Sequence, residues 1–270
     1  NFAQAASIPA VWMTVYHSLN ELAKLKPRDK ILIHTATGGV GLAAIAYAKE
    51  VGAEIYATAG SEHKRRYLRM QGIDHVYDSR NLDFVEQIKE DTQGTGVDVV
   101  LNTLTGPGFV EGSLSCCGNK ARFIELSKRD IFSEAEVEAQ RSDIRYHIVA
   151  LDHEVAKDPV WGGELLHRVI SWLSDHNIKP LPYVTYPIEE SVGALSYLQR
   201  AQHIGKVIVT LDEGAGARRI GAVKSKGTYV ITGGLSGIGY EVCGELIRQG
   251  ARSIALLSRR EVNEAQMEQI

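Results

Sequence analysis

The sequence has little cysteine, no excess of one charge and no long apolar run, and each shortage excludes a class of protein. Only Cys116, Cys117 and Cys243 occur in 270 residues. Two of these are neighbours, which rarely bridge, and no Cys/His metal spacing is present. A disulfide scaffold and a metal site are therefore not expected, and a reducing cytoplasm is the simple setting. Thirty basic against 33 acidic residues leave a net charge of −3, which gives no support to nucleic acid as a partner. No apolar run approaches the roughly 18 residues of a membrane span. The N-terminus also lacks the basic-then-apolar order of a signal peptide. The remainder, 44% hydrophobic and 23% charged, is an ordinary globular composition, enough for one large domain or two smaller ones.

Glycine, by contrast, is plentiful, and its placement organises the chain. Residues 30–52 open with Ile31-Leu32-Ile33, an apolar run suited to a strand buried on both faces. Thr37-Gly38-Gly39-Val40-Gly41 follows, and then a helical pattern that stops at Gly52. Strand, glycine turn and helix in this order form a dinucleotide-binding arrangement. Glycine permits a tight turn and close backbone approach, and the helix N-terminus presents free N–H groups to a pyrophosphate. The plain alternative is a βα corner whose glycines serve packing. The next strand, residues 54–59, ends without the carboxylate that would bind a ribose 2′-hydroxyl, and His63, Lys64, Arg65 and Arg66 follow. Such cations favour a 2′-phosphate, hence NADPH over NADH, unless they are merely a solvated helix face.

Strands and helices alternate onward, predicting an α/β, doubly wound parallel sheet (a Rossmann fold). The reading expects one helix over residues 1–25 interrupted at Pro9, strands over 75–78, 97–104, 121–126 and 145–151, and a closing strand over 206–211. Residues 212–226 carry Gly214, Gly216 and scattered basic residues with no periodicity, which reads as a linker. A second strand-glycine-helix unit begins at residue 228 with Thr232-Gly233-Gly234-Leu235-Ser236-Gly237-Ile238-Gly239, and a further strand ends at Ser258-Arg259. Two such loops mean two domains, and residues 227–270 are too few to bury much core alone, so the chain reads as a piece of something longer. His34 reads as a satisfied core histidine and Cys116-Cys117 as small apolar filling.

Several strings stand in an order and spacing that carry a resemblance: Ile33 to Gly41, Asp78-Ser79-Arg80, Leu101-Asn102-Thr103-Leu104, residues 123–130 (FIELSKRD) and His203-Ile204-Gly205-Lys206-Val207. Together they resemble the enoyl reductase domain of modular polyketide synthases and animal-type fatty acid synthases, of the medium-chain dehydrogenase/reductase superfamily. The resemblance covers residues 1–211. Residues 227–270 resemble the start of a ketoreductase of the short-chain dehydrogenase type, whose TGxxxGxG pattern is met by Thr232, Gly233, Gly237 and Gly239.

The resemblance implies that NADPH reduces the α,β double bond of an enoyl thioester carried on acyl carrier protein, with ketoreductase and dehydratase domains as neighbours. It implies that Thr37, Gly38, Gly39, Val40 and Gly41 hold the pyrophosphate, and that Thr58, Ser61, Lys64 and Arg80 read the adenosine end. Asn102, Thr103 and Leu104 would line the nicotinamide side and Lys206 would reach the cofactor. Gly233, Gly237, Gly239 and Arg259 would serve the second unit's cofactor. Lys128 matches the lysine proposed in the family as proton donor or organiser, against the alternative of a solvated loop lysine. The aspartate partner that many relatives carry aligns with Ala150; Asp152, two residues later, resembles the arrangement in the animal fatty acid synthase, so either Asp152 takes that catalytic role or the chain lacks it. The family's upstream β-rich substrate domain has no counterpart in this sequence, so the chain is expected to bind NADPH but to turn over enoyl thioesters poorly. The rival readings are a free-standing quinone or enone oxidoreductase and a catalytically inactive NADPH-binding module.

Overall fold

The structure is a computed structural model that describes residues 1–211, 226–232 and 237–257. The chain divides into one unit over Asn1–Thr210 and a second over Leu211–Ile270. The first unit opens with α1 (Phe2–Ala6) and α2 (Pro9–Val15), then continues as a π-helical segment, Tyr16–Leu22. Pro9 occupies the first turn of α2, where its missing N–H costs nothing, so the helical stretch expected over residues 1–25 is interrupted at Pro9 as anticipated and ends, as a π-helical turn, at Leu22.

From there strand and helix alternate. They run β1 (Lys30–Ile33), α3 (Gly39–Val51), β2 (Glu54–Ala59), α4 (Glu62–Met70), β3 (His75–Asp78), α5 (Asp83–Asp91), β4 (Val97–Asn102), α6 (Phe109–Ser115) and β5 (Cys117–Glu125). After these come α7 (Glu134–Gln140), β6 (Arg145–Ile148), α8 (Leu151–Lys157), α9 (Pro159–Asp175), β7 (Tyr183–Pro187), α10 (Ser191–Gln199) and β8 (Lys206–Thr210). β1 to β6 form one parallel sheet in the order β3-β2-β1-β4-β5-β6. β1 is central, and Ile31, Leu32 and Ile33 are each wholly buried. Ile31 and Ile33 point into the core on one face and Leu32 into the core on the other. Each contributes roughly 1.5–3 kcal/mol by leaving water.

The order of strands reverses at β1, between β2 and β4, so a crevice opens beyond the carboxyl ends of these strands. The glycine turn falls there. The buried cysteines are all free thiols, and burial pushes the Cys116 thiol up to about 12.

The closing strand does not join the main sheet. β8 pairs in parallel with β7, from Tyr183 opposite Lys206 to Pro187 opposite Thr210, with α10 as the crossover. β6 stops at Ile148, short of the strand expected over 145–151, and residues 151–157 are helical. α7 was not anticipated. It is set by Ser133 and Glu136, which cap it reciprocally, while only Val137 is buried.

The second unit shows β9 (Thr228–Thr232), α11 (Gly237–Arg248) and β10 (Ser253–Leu257), with β9 and β10 parallel and in register from Thr228–Ser253 to Thr232–Leu257. Thr232 ends β9 and Gly237 opens α11, with Gly239 in its first turn. Gly233, Arg259 and the linker expected over residues 212–226, apart from Lys226, lie outside the described residues. Among the described residues no helix is long and apolar enough to cross a membrane.

Candidate functional site: two clefts around a glycine turn

Two clefts open on the crevice. One, of about 380 Å³, is lined by the turn at Thr35, Thr37 and Gly38, by Gly60, Ser61 and Lys64 after β2, by Ser79 and Arg80 after β3, and by Leu104, Ala201 and His203. The other, of about 580 Å³, is mostly apolar and is lined by Met13 of α2, Val40, Leu126, Val149 and Val155, with Thr14, Thr103, Lys128 and Asp152 as its polar members.

The turn suits a phosphate. Gly38 is extended (φ −72°, ψ 171°) and offers α3 no side-chain cap, so the first N–H groups of this 13-residue helix keep no side-chain partner. A Cβ on Gly39 would come within 2.7 Å of Lys206 Cδ, so the Lys206 side chain lies directly over the turn. A Cβ on Gly41 would come within 2.5 Å of Ala36 Cα, so α3 packs backbone against the turn itself. A dinucleotide therefore fits the residues present: a bare helix N-terminus, a turn without side chains, and cations at the end of β2.

Those cations are held differently. Lys64 Nζ donates to the Ala201 carbonyl at 2.8 Å, and burial, with Arg80 nearby, holds its ammonium below the usual lysine range. Arg80 lies across Gly60 and donates to its carbonyl at 3.4 Å. Ser61 caps α4 by accepting from Lys64 N–H. Arg65 is tied up by Asp78 at 2.9 Å and Glu62 at 3.1 Å. None of the residues lining this cleft is acidic.

Two predicted cofactor residues are placed elsewhere. Thr58 is fully buried, and its hydroxyl bonds His34 Nδ1 at 3.0 Å instead of facing the cleft. It sits inside β2, where alternation turns its side chain into the core. Asn102 is also fully buried; its amide donates to Glu125 Oε2 at 2.6 Å and to the Leu104 carbonyl at 3.1 Å, and its oxygen accepts from Leu104 N–H. It shapes the loop instead of lining it. Glu125, buried with it, accepts from Ser127 N–H at 2.8 Å, and burial raises its carboxyl above the usual range. One buried pair thus joins the loop at Leu104 to the loop that carries Lys128.

His34 is a satisfied core histidine. Its Nε2 bonds Ser113 at 2.9 Å, and burial lowers its pKa to about 3. Lys128, 53% exposed along its side chain, bonds Asp152 Oδ2 at 2.5 Å, and this bond pulls the Asp152 carboxyl below its usual range. Thr103 of the apolar cleft bonds Thr35 of the polar cleft, hydroxyl to hydroxyl, at 2.8 Å. No motif marks Met13 or Val149, which only packing brings to the apolar cleft. His203 carried a signal, since it precedes Gly205-Lys206 in a singled-out string, but its place in the cleft could not be read.

Known proteins bear on this geometry. The family described as zinc-binding dehydrogenase matches residues 71–209, and the KR domain family matches residues 227–270. Among the described residues no three His, Cys, Asp or Glu side chains gather to hold a metal, so nothing here fits the zinc of that description. The chain is 40% identical over 277 residues to a mycocerosic acid synthase-like polyketide synthase of Mycobacterium tuberculosis, covering 99% of this chain and 13% of that protein. The chain thus spans about an eighth of the length of that relative. Among solved structures, JamJ enoyl reductase superposes with TM-score 0.75 at 42% identity, covering 78% of this chain and 63% of that one. The nucleotide-binding subdomain of the enoylreductase domain of PpsC from Mycobacterium tuberculosis gives 0.59 at 38% identity, covering 64% of this chain and 97% of that one. With a relative of this identity matched over nearly its whole length, the chain belongs to the enoyl reductase domains of polyketide synthases, within the medium-chain dehydrogenase/reductase superfamily.

Proposed function

We propose that the first unit binds NADPH and forms the cofactor half of a reductase that saturates the α,β double bond of an enoyl thioester carried on an acyl carrier protein. The observation that carries this reading is the meeting of two unlike clefts at one glycine turn. A polar cleft holds Lys64 and Arg80 with no carboxylate in its lining, and an apolar one holds Lys128 and Asp152. A 2′-phosphate suits the first and a nicotinamide with an acyl chain suits the second.

Bound there, the nicotinamide supplies the hydride. The chain's own part is to position, exclude water and deliver a proton. Thr37, Gly38, Gly39, Val40 and Gly41 hold the pyrophosphate, Ser61, Lys64 and Arg80 the adenosine end, and Thr103, Leu104 and Lys206 the approach to the nicotinamide. Lys128 gives the proton to the substrate α-carbon, and Asp152 fixes the direction of its ammonium. Although the aspartate expected at Ala150 is missing, Asp152 reaches Lys128 from the first turn of α8, so the lysine keeps a carboxylate partner. This argues against an inactive module.

The test has two arms. In the 270-residue chain, Lys64→Ala weakens NADPH binding by about tenfold and leaves NADH binding nearly unchanged, as loss of one charge-assisted bond predicts. In the complete reductase domain, Lys128→Ala lowers turnover of a crotonyl thioester on acyl carrier protein by on the order of 10²-fold without changing NADPH affinity. Tight NADPH binding with no turnover by the complete wild-type domain would instead identify a binding module.

A further inference from the structure

His203 is the second histidine held among the strands and turns of this site, and it differs from His34 in one respect. Both ring nitrogens of His34 have hydrogen-bond partners, whereas the Nδ1 of His203 is enclosed without one. Buried polar atoms are nearly always satisfied, so the unpaired Nδ1 leaves this ring uncommitted to any protein group on that side, while the residue itself lines the cleft. The loop that carries His203 is pinned on both sides of the cleft. Gly205 N–H donates to the Thr37 carbonyl of the glycine turn at 2.8 Å, and the Ala201 carbonyl accepts from Lys64 of α4 at 2.8 Å. Gly205 has φ +76°, and a Cβ there would overlap the Pro182 carbonyl, so the pinned conformation requires glycine. His203 is thereby held between the turn and the cations beyond β2, in the same lining as Gly38, Lys64 and Arg80.

We propose that the imidazole of His203 is a phosphate ligand of this cleft, donating a hydrogen bond to a phosphate oxygen of the bound dinucleotide. The inference rests on the dinucleotide reading of the cleft given above. The groups that act on the ring are Lys64 of α4, Lys206 of β8 and Tyr197 of α10, whose ring meets it edge-on at 6.2 Å, and Arg80 after β3 lines the same cleft. Burial first, and then Lys64 and Lys206, hold the His203 pKa below its usual value, so the ring is neutral in the open cleft near neutral pH. A phosphate among these cations reverses the local field and favours the imidazolium, so binding draws in one proton at this ring. The folded-state pKa is low before binding and higher after it. Affinity is therefore fullest at lower pH and falls as pH rises through the window between the two values.

Calorimetric titration of the 270-residue chain with NADPH, in buffers of different ionisation enthalpy between about pH 6 and 8, reads the proton directly. A 2′-phosphate also titrates in this range, so the quantity of interest is the difference between wild type and variants. His203→Gln should bind about tenfold more weakly and lose the histidine's share of the uptake. His203→Lys, a permanent cation, should keep the affinity and lose the same share. Parallel titrations with 2′,5′-ADP and 5′-ADP separate the two sources: an effect on the first alone assigns the 2′-phosphate, and an effect on both assigns the pyrophosphate. Equal affinity and equal uptake in wild type and His203→Gln overturn the proposal. So does weakening in both variants with uptake unchanged, which would mark the residue as structural. Failure of the wild-type chain to bind NADPH at all would overturn the dinucleotide reading, a separate outcome from binding without a histidine proton.

Discussion

Gly41 is the residue at which cofactor site and fold depend on the same absence of atoms. Its missing side chain lets α3 rest against the backbone of Ala36, with a hypothetical Cβ only 2.5 Å from Cα and 2.6 Å from the carbonyl carbon. Backbone cannot step aside as a flexible side chain does, so Gly41→Ala must shift the turn or the helix. The expected loss is about 1–3 kcal/mol of stability, read from the urea midpoint, together with weaker NADPH binding. An unchanged midpoint would mean that α3 can slide, and would remove the argument that the turn is held rigid. Thr58 and Asn102 show the limit of reading at this scale. Both stand where the family pattern puts ligand contacts, yet the pleat sends Thr58 into the core beside His34, and Asn102 is claimed by Glu125 from the next strand. Neither partner is near in sequence, so nothing local marks these side chains as already committed.

At the scale of elements, His34 joins three of them. It follows β1, and its two nitrogens reach Thr58 of β2 and Ser113 of α6. Burial lowers its pKa to about 3, far below its unfolded value. Between those two pKa values the unfolded chain binds a proton that the folded chain does not, so stability falls as pH falls from near 6.5 toward 3. The slope from this group is about 1.4 kcal/mol per pH unit. His34→Gln should be less stable at neutral pH but show a shallower acid limb, compared by urea unfolding at neutral and mildly acidic pH. Identical slopes would mean that the imidazole is already solvated. Legibility also differs by element. β1, β2 and β4 were readable because buried parallel strands are apolar on both faces, and the helix after the turn because glycines bracket it. α7 and α8 were not, since one fully buries only Val137 and the other offers the core only the partly buried pair Leu151 and Val155, too short an apolar pattern to mark a helix. β8 was readable as a strand, but its separation from the main sheet depends on pairing with β7 across α10, which no local pattern encodes.

On the scale of the whole chain, the two glycine loops belong to separately organised units. The six-stranded sheet and the β7–β8 pair lie wholly in the first unit and the β9–β10 pair wholly in the second. The first unit has two cores, one on each face of its sheet, with many side chains at zero exposure. In the second, the buried apolar residues among those described are Ile231, Cys243 and Ala251, at 8–9% exposure, which is little core for a helix and two strands. Stability of the first unit should therefore owe nothing to the second. A chain ended after Leu211 is expected to keep the main calorimetric transition of the full chain within a degree or so, and to bind NADPH with the same affinity and one site. A lower transition temperature would show that the second unit supplies packing to the first. A loss of one bound NADPH per chain, with the transition unmoved, would show instead that the βαβ unit after Lys226 forms a working phosphate loop of its own.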